Sequence, residues 1–228
     1  MNPTHTLLPE HRLNELINAL VEQGWYVGHD FISPSLHAPL FDEVMRKAEH
    51  NALTAAGIGR GRDHHRRTDI RGDTIQWLNR ESQAQRRYLD AMGELQQALN
   101  KALFLGLFEY EAHFAYYPAG AFYKRHLDSF RGRANRVIST VSYLNPDWPS
   151  DAGGEMAIFT PETAAPVGQD CEEEQQIIAR VQPKAGTFAC FLSEQIPHAV
   201  LPTRLPRASI AGWFRVNTSL NSTVDPAH

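Results

Sequence analysis

The chain has 228 residues, of which 42% are hydrophobic and 21% are charged, so it can form a folded domain, and wholesale disorder is excluded. Its formal net charge of −4 argues against a general nucleic-acid binder. No apolar run reaches the roughly 18 residues that span a bilayer, and the N-terminus lacks a signal-peptide pattern. Two cysteines cannot form a disulfide framework, so we expect a protein of the reducing cytoplasm. From the charge and the apolar runs we expect no direct nucleic-acid partner and no membrane partner.

The first third of the chain is predicted to be helical, because its apolar residues recur at helical spacing. Capping residues begin the predicted helices, and glycines end some of them. We predict helices over 9–24, 33–57 and 82–103, with one short strand at 25–27.

Beyond Gly106, short apolar and β-branched runs alternate with turn residues, which is typical of strands. We predict strands at 111–117, 122–126, 136–144, 155–159, 177–182, 187–192, 198–201 and 210–217. Helices first and short strands afterwards indicate a mainly β fold, a sandwich or jelly roll, with the N-terminal helices as a buttress packed on one sheet. The acidic stretch at 161–176 is predicted to be an exposed loop.

Two histidines and one aspartate of the β half are candidate metal ligands. His126 and Asp128 stand two residues apart where a predicted strand ends, so their side chains point to the same side, and His198 begins another strand. Two histidines and one carboxylate form the facial triad of non-heme Fe(II) oxygenases. The His-x-Asp pattern by itself arises easily by chance, and the alternative is an ordinary surface pair at a strand end.

Arg207 lies nine residues after His198 and opens the last strand, whose neighbouring residues Ile210, Trp213 and Phe214 are apolar. A buried arginine is costly without a partner, and the carboxylate of a ligand would satisfy it through a bidentate pair. The alternative is a salt bridge to a carboxylate of the protein itself.

Several motifs together give the chain a resemblance to a known family. They are DIRGDTIQWL at 69–78, YP at 117–118, YKRHLD at 123–128, YLNPDW at 143–148, GGE at 153–155, PHAV at 197–200 and RASIAGWF at 207–214. This set resembles the prolyl 4-hydroxylases of the hypoxia-factor prolyl hydroxylase (Egl-nine-like) group, in its bacterial branch. The first motif is the most discriminating, because generic oxygenases of the superfamily lack it.

The resemblance implies a double-stranded β-helix in which His126, Asp128 and His198 hold Fe(II). It also implies 2-oxoglutarate as co-substrate, O2 as the oxidant and ascorbate as a stimulant. The implied layout is one catalytic domain over 1–228, with helical support in 1–107, a substrate loop at 57–78 and the core in 108–218.

The resemblance also implies residues for the co-substrate. Arg207 would pair with the far carboxylate of 2-oxoglutarate, the Tyr143 hydroxyl would donate a hydrogen bond to it, and Tyr117 would line the same pocket. Tyr143 shares a strand face with Ser139 and Val141, which fits an inward hydroxyl. The alternative for Tyr143 is a tyrosine of the core.

Substrate contacts are expected from Arg71, Asp73, Tyr123, Arg136 and Trp213. By the resemblance, Asp73 and Arg136 form an ion pair at the mouth of the site, and Trp213 walls the pocket for the prolyl ring. The alternative for Trp213 is core packing. The basic segment 59–71 is expected to be a mobile loop that closes on a protein substrate, with a solvated loop as the alternative.

The implied function is hydroxylation of a prolyl residue at its 4-position in a protein, with release of succinate and CO2. Bacterial relatives of this group are linked to elongation factor Tu, so an exposed loop proline of that factor is the leading substrate. Two alternatives stay open. One is an oxygenase of a free amino acid or other small molecule, and the other is a non-catalytic module that binds a translation factor.

Overall fold

A computed structural model describes residues 7–57, 69–129, 135–161 and 176–217. Within those residues lie three helices and eleven strands. The helices are α1 (Glu10–Gln23), α2 (Pro34–Glu49) and α3 (Gln83–Leu103). The strands are β1 (Trp25–Gly28), β2 (Thr54–Ala55), β3 (Thr74–Trp77), β4 (Leu107–Tyr117), β5 (Tyr123–His126), β6 (Arg136–Tyr143), β7 (Met156–Phe159), β8 (Ile177–Val181), β9 (Phe188–Leu192), β10 (His198–Val200) and β11 (Arg207–Val216).

Local signals account for where two of the helices begin and end. Helix α1 stops at Gly24, whose φ of 82° places it in the left-handed region that favours glycine. Helix α3 begins after Ser82, whose hydroxyl accepts a hydrogen bond from the Gln85 backbone N–H at 3.0 Å. The Gln85 side chain bonds to Asn79 and Glu43, so only half of the predicted capping box is formed.

The prediction that α2 continues to about residue 57 is wrong. The helix ends at Glu49, and Asn51 takes a left-handed backbone with φ of 52°. Residues Thr54–Ala55 then pair with β3 as an edge strand, because the sheet offers them hydrogen bonds that an isolated helix end does not. At the other end of the chain, Arg207 opens the last strand as expected, although the predicted apolar run of that strand begins only at residue 210.

The strands form two antiparallel sheets. The seven-stranded sheet has the order β1-β9-β6-β11-β4-β3-β2, and the four-stranded sheet has the order β5-β10-β7-β8. The helices pack on the outer face of the large sheet, in one cluster with its outward side chains such as Phe114, Ile210 and Phe214. Its inner face packs on the small sheet through Tyr143, Ile158 and neighbours. This confirms the predicted mainly β jelly roll with helices on one sheet.

Strand alternation sorts the side chains of the large sheet into the two layers. Arg207, Ser209 and Trp213 of β11 stand opposite Tyr117, Ala115 and Glu111 of β4, and all lie on the inner face. Tyr143 and Ser139 of β6 join them from the other side of β11. The inner face therefore carries a polar column between the two sheets. No helix in the described part of the chain is long and apolar enough to cross a membrane.

Candidate active site

The structure brings His126, Asp128 and His198 together between the sheets. Strands β5 and β10 pair antiparallel with His126 directly opposite His198, and Asp128 follows β5 in the chain. One ligand atom from each residue lies within 4.8 Å of the others. The Nε2 atoms of the two histidines are 3.5 Å and 3.7 Å from the Asp128 carboxylate oxygens. Three donors are therefore gathered at one point.

Backbone contacts set which nitrogen each histidine offers. Nδ1 of His126 lies 2.8 Å from the Lys124 carbonyl, and Nδ1 of His198 lies 3.1 Å from the Ile196 carbonyl. A carbonyl oxygen only accepts, so in the neutral ring Nδ1 carries the proton and Nε2 is the nitrogen that can bind a metal. Such second contacts orient histidine ligands in metal sites.

Asp128 is held as a carboxylate by a hydroxyl pair that the sequence did not point to. The Ser139 hydroxyl donates to Oδ2 of Asp128 at 2.6 Å and lies 2.9 Å from the Ser193 hydroxyl, which therefore donates to it. Burial by itself would raise the pKa of Asp128. The neighbouring His198 and His126 and the Ser139 hydroxyl, which donates to it, outweigh burial and hold that pKa well below its ordinary value.

The donor set fits Fe(II). Burial, together with repulsion from His126, lowers the pKa of His198 to about 4, so its imidazole is neutral near physiological pH. Two imidazoles and one carboxylate are the two-histidine, one-carboxylate set of non-heme Fe(II) oxygenases.

A second buried polar group lies at Arg207, which is only 1% exposed. Its Nε donates to the Gly154 carbonyl at 2.9 Å, and its Nη1 donates to the Ser209 hydroxyl at 3.2 Å. Among the residues that the structure describes, no carboxylate pairs with this guanidinium. Within the described residues, Arg207 therefore does not form the salt bridge that was the alternative to binding a ligand carboxylate.

Tyr143 and Tyr117 flank this guanidinium. Their ring centres lie 5.1 Å and 5.0 Å from its central carbon. Tyr143 is fully buried, and its hydroxyl has no hydrogen-bond partner within the described ranges. Burial raises the pKa of Tyr143 to about 12, so the hydroxyl stays a donor. A buried cation and an unused donor side by side fit a ligand carboxylate such as that of 2-oxoglutarate.

The expected ion pair of Asp73 with Arg136 is not formed. Asp73 instead takes a bidentate pair from Arg71, with Nε–Oδ1 of 2.5 Å and Nη2–Oδ2 of 2.8 Å. Arg136 is bonded to Glu111 at 2.6 Å. Arg71 is only two residues from Asp73 in the chain, so it reaches the Asp73 carboxylate. Arg136 pairs with Glu111 because the two residues lie on the same face of the sheet.

The remaining predicted substrate residues form two aromatic contacts around the triad. Tyr123 stacks on His126 with ring centres 3.6 Å apart, and the guanidinium of Arg71 lies over the Tyr123 ring, 4.8 Å from its centre. Trp213 is covered by Arg136 and lies 5.4 Å from His113 between ring centres. Trp213 also stands opposite Ser139, the serine that bonds to Asp128, so the indole is close to the triad.

Sequence reasoning assigned no role in the site to Glu111, His113, Ser193 or Gly154, and it treated Ser139 only as a neighbour of Tyr143 on its strand face. Glu111, His113 and Ser139 share inward strand positions with predicted site residues, so strand alternation would have drawn attention to them. Ser193 lies in a turn after β9, and no periodic pattern indicates its position. Most of the basic segment 59–71 and of the acidic stretch 161–176 lies outside the described residues.

Comparison with known proteins agrees with this arrangement. Residues 112–215 match the 2OG-Fe(II) oxygenase superfamily. The crystal structure of a Pseudomonas putida prolyl-4-hydroxylase is 37% identical, covers 89% of this chain and 98% of its own, and superimposes with a TM-score of 0.77. A prolyl hydroxylase from Trichoplax adhaerens, solved with a hypoxia inducible factor peptide fragment, is 22% identical with 90% of each chain covered and a TM-score of 0.76.

Among curated proteins, human Egl nine homolog 1 is 25% identical over 213 residues, which are 89% of this chain and 46% of the human protein. The chain thus spans about half the length of the curated relatives it matches. The bacterial structure, by contrast, is matched over nearly its whole length. The chain belongs to the 2OG-Fe(II) oxygenase superfamily and, within it, to the prolyl hydroxylases of the bacterial type.

Proposed function

We propose that this protein hydroxylates a prolyl residue of a protein at its 4-position, using Fe(II), 2-oxoglutarate and O2 and releasing succinate and CO2. The observation that carries the proposal is that two polar groups share the space between the two sheets. One is the histidine-aspartate-histidine cluster, and the other is a buried arginine without a carboxylate partner among the described residues, next to a tyrosine whose hydroxyl has no partner there.

In this proposal His126, Asp128 and His198 hold Fe(II), which with bound 2-oxoglutarate supplies the activation of O2. The chain's own groups bind and orient. Arg207 pairs with the far carboxylate of 2-oxoglutarate, and the Tyr143 hydroxyl donates to the same carboxylate. Tyr117 closes the pocket beside them, and the burial of this pocket excludes water from the reacting groups.

We assign the substrate contacts to five further residues, which are Arg71, Asp73, Tyr123, Arg136 and Trp213. The two arginines are already paired with carboxylates of the chain, so they are fixed in place rather than mobile. A protein substrate is supported by the Trichoplax relative, whose structure contains a peptide fragment. Elongation factor Tu is the leading candidate, since the bacterial branch that the chain resembles is linked to it.

The test is reconstitution of the purified protein with Fe(II), 2-oxoglutarate and elongation factor Tu. We expect mass spectrometry to find one added oxygen atom on a single proline of the factor. Free proline and an unrelated proline-containing peptide serve as parallel substrates. Hydroxylation of free proline without that of any protein would establish the small-molecule alternative, and binding without turnover would establish the non-catalytic one.

A further inference from the structure

A cluster of charged side chains lies beside Trp213 on the inner face of the seven-stranded sheet. Glu111 stands directly opposite Trp213 on the neighbouring strand. Arg136 lies over the indole, with its guanidinium carbon 3.7 Å from the ring centre. Arg215, two residues beyond Trp213, and Glu109, two residues before Glu111, complete the cluster. The assignment of Arg136 and Trp213 to the substrate leaves the two glutamates unexplained.

Both arginines of the cluster are bonded to Glu111. Its Oε1 lies 2.8 Å from Nε and 2.6 Å from Nη2 of Arg136, and its Oε2 accepts from Nη1 of Arg215 at 3.1 Å. Glu111 is buried, with 7% of its surface exposed. A charge-assisted hydrogen bond from Nε and a short ion contact from Nη2 of the same planar guanidinium fix its orientation as well as its position. Glu111 therefore determines where the Arg136 plane lies relative to Trp213.

Glu109 does not share this role. It contacts Arg215 at 3.4 Å, and within the described ranges no ion pair joins it to Arg136. The two glutamates thus carry the same charge, on the same strand and the same face, but only Glu111 reaches the residue that covers Trp213. The chain itself therefore provides a matched control.

We propose that Glu111 is a positioning residue for the substrate, which fixes Arg136 over Trp213 and so preforms the wall that receives the prolyl ring. This inference rests on the proposed function, in which Arg136 and Trp213 contact the substrate. Without the carboxylate, Arg136 and Arg215 would repel each other at close range, and Arg136, the more exposed of the two, would move off the indole.

The cluster also indicates what kind of residue this wall accepts. Its two arginines are matched by two glutamates, so the wall carries no net charge. The guanidinium plane of Arg136, seated on an indole that is only 7% exposed, offers a flat contact to an apolar ring and gives no electrostatic advantage to a charged group. The wall therefore favours a prolyl residue within a chain over free proline, which carries a carboxylate and an ammonium group.

The first test needs no substrate and no metal. In protein labelled with nitrogen-15 at its four tryptophans, the indole N–H signal of Trp213 is identified by its loss in Trp213→Phe. We expect Glu111→Gln to shift this signal, because Arg136 leaves the ring, and Glu109→Gln to leave it in place. A Trp213 signal that Glu111→Gln does not move, in a protein that still folds, would overturn the positioning role whatever the enzyme acts on.

The second test measures initial rates against the concentration of the protein substrate. Glu111→Gln should raise KM about tenfold, the effect of one charge-assisted hydrogen bond, while kcat changes by no more than about twofold. Glu109→Gln should leave both near the wild-type values. If Glu111→Gln does not fold, Arg136→Lys takes its place, because lysine keeps the charge but cannot form the bidentate pair or the flat stack.

The failures of the two proposals can be told apart. A wild-type protein that hydroxylates no protein defeats the proposed function, and the tryptophan signal still decides whether Glu111 positions Arg136. Wild-type turnover with an equal KM in Glu111→Gln and Glu109→Gln defeats this inference alone. A fall in kcat at unchanged KM would also overturn it, since it would make Glu111 part of the reaction rather than of substrate docking.

Discussion

At the scale of single residues, Ser139 decides how the Asp128 carboxylate is presented. Its hydroxyl donates to Oδ2 and so orients the carboxylate. We predict that Ser139→Ala weakens binding of Mn(II) or Fe(II) to the metal-free protein about tenfold, as loss of such supporting bonds does in metal sites. Calorimetric titration under anaerobic conditions measures this. Ser142→Ala, on the same strand but bonded to Tyr88 on the other face, is the control and should keep wild-type affinity.

Removing the Tyr143 hydroxyl should have opposite effects on protein stability and on 2-oxoglutarate binding. Its buried hydroxyl lacks a partner in the described structure, so Tyr143→Phe should stabilise the ligand-free protein, by about 1 kcal/mol, and weaken 2-oxoglutarate binding about tenfold. Thermal unfolding and ligand titration measure the two effects. Tyr88→Phe is the control, because the Tyr88 hydroxyl is bonded to Ser142 at 2.8 Å and its loss should destabilise the protein. Destabilisation by both variants would mean that Tyr143 has a partner in the free protein.

His113 predicts a pH dependence of stability. Burial, with the charge of Arg71 adding to it, lowers its pKa from 6.5 to about 4. Below about pH 6.5, His113 therefore binds a proton in the unfolded chain but not in the folded protein. Its contribution to the free energy of unfolding is fully present above that pH and is lost as the pH falls towards 4. The loss is about 3 kcal/mol in full.

The measurement for His113 is the free energy of unfolding at neutral pH and at about pH 5 in urea. His113→Gln should lose less stability between the two conditions than the wild type, because glutamine does not titrate. His198 titrates in the same direction in both proteins, so its effect cancels in the difference. An equal loss in the two proteins would show that His113 is not the titrating group.

At the scale of elements, the turn before β7 supports the proposed co-substrate pocket. Gly154 has φ of 73°, and a Cβ there would lie 2.9 Å from the Thr203 hydroxyl. Its carbonyl accepts from Arg207. We predict that Gly154→Ala destabilises the protein by about 2–3 kcal/mol, from a left-handed backbone and the contact together, and weakens 2-oxoglutarate binding.

Gly120→Ala is the matched control for that turn. Gly120 has φ of 85°, but a Cβ added to it would meet nothing within 4 Å. It should therefore cost about 1–2 kcal/mol from the backbone alone and leave 2-oxoglutarate affinity unchanged. Denaturant unfolding and calorimetry measure both variants. An equal loss of 2-oxoglutarate affinity in the two variants would show that the Gly154 turn does not act through Arg207.

Elements were easier to predict than their ends and their partners. Apolar periodicity placed α1, α3 and most strands, because their burial is what the pattern records. The end of α2 was missed because β2 forms only when β3 is present beside it, and that pairing is a long-range event. The Asp73–Arg136 pair failed for a related reason. Which carboxylate an arginine takes depends on its neighbours across the sheet, and Glu111 is one of these only after folding.

At the scale of the whole molecule, the two sheets bring distant parts of the chain to one interior. The triad lies where β5 and β10 pair, and the residues proposed to bind 2-oxoglutarate lie where β4, β6 and β11 are side by side. The residue pattern indicated the members of the triad, and the family resemblance implied the residues for the co-substrate. Their supporting residues, such as Ser193 and Gly154, become visible only when the layers are assembled, since their contacts cross between strands.

The central claim is that this one interior oxidises a prolyl residue of a protein. The most direct measurement is incubation of cell-lysate proteins with the enzyme, Fe(II), 2-oxoglutarate and O2 enriched in the heavy oxygen isotope, followed by mass spectrometry of the peptides and of succinate. The claim predicts one heavy oxygen on a specific proline and one in succinate, in equal amounts, and neither with His126→Ala. Heavy succinate without labelled proline in any protein, or labelled proline that survives His126→Ala, would contradict it.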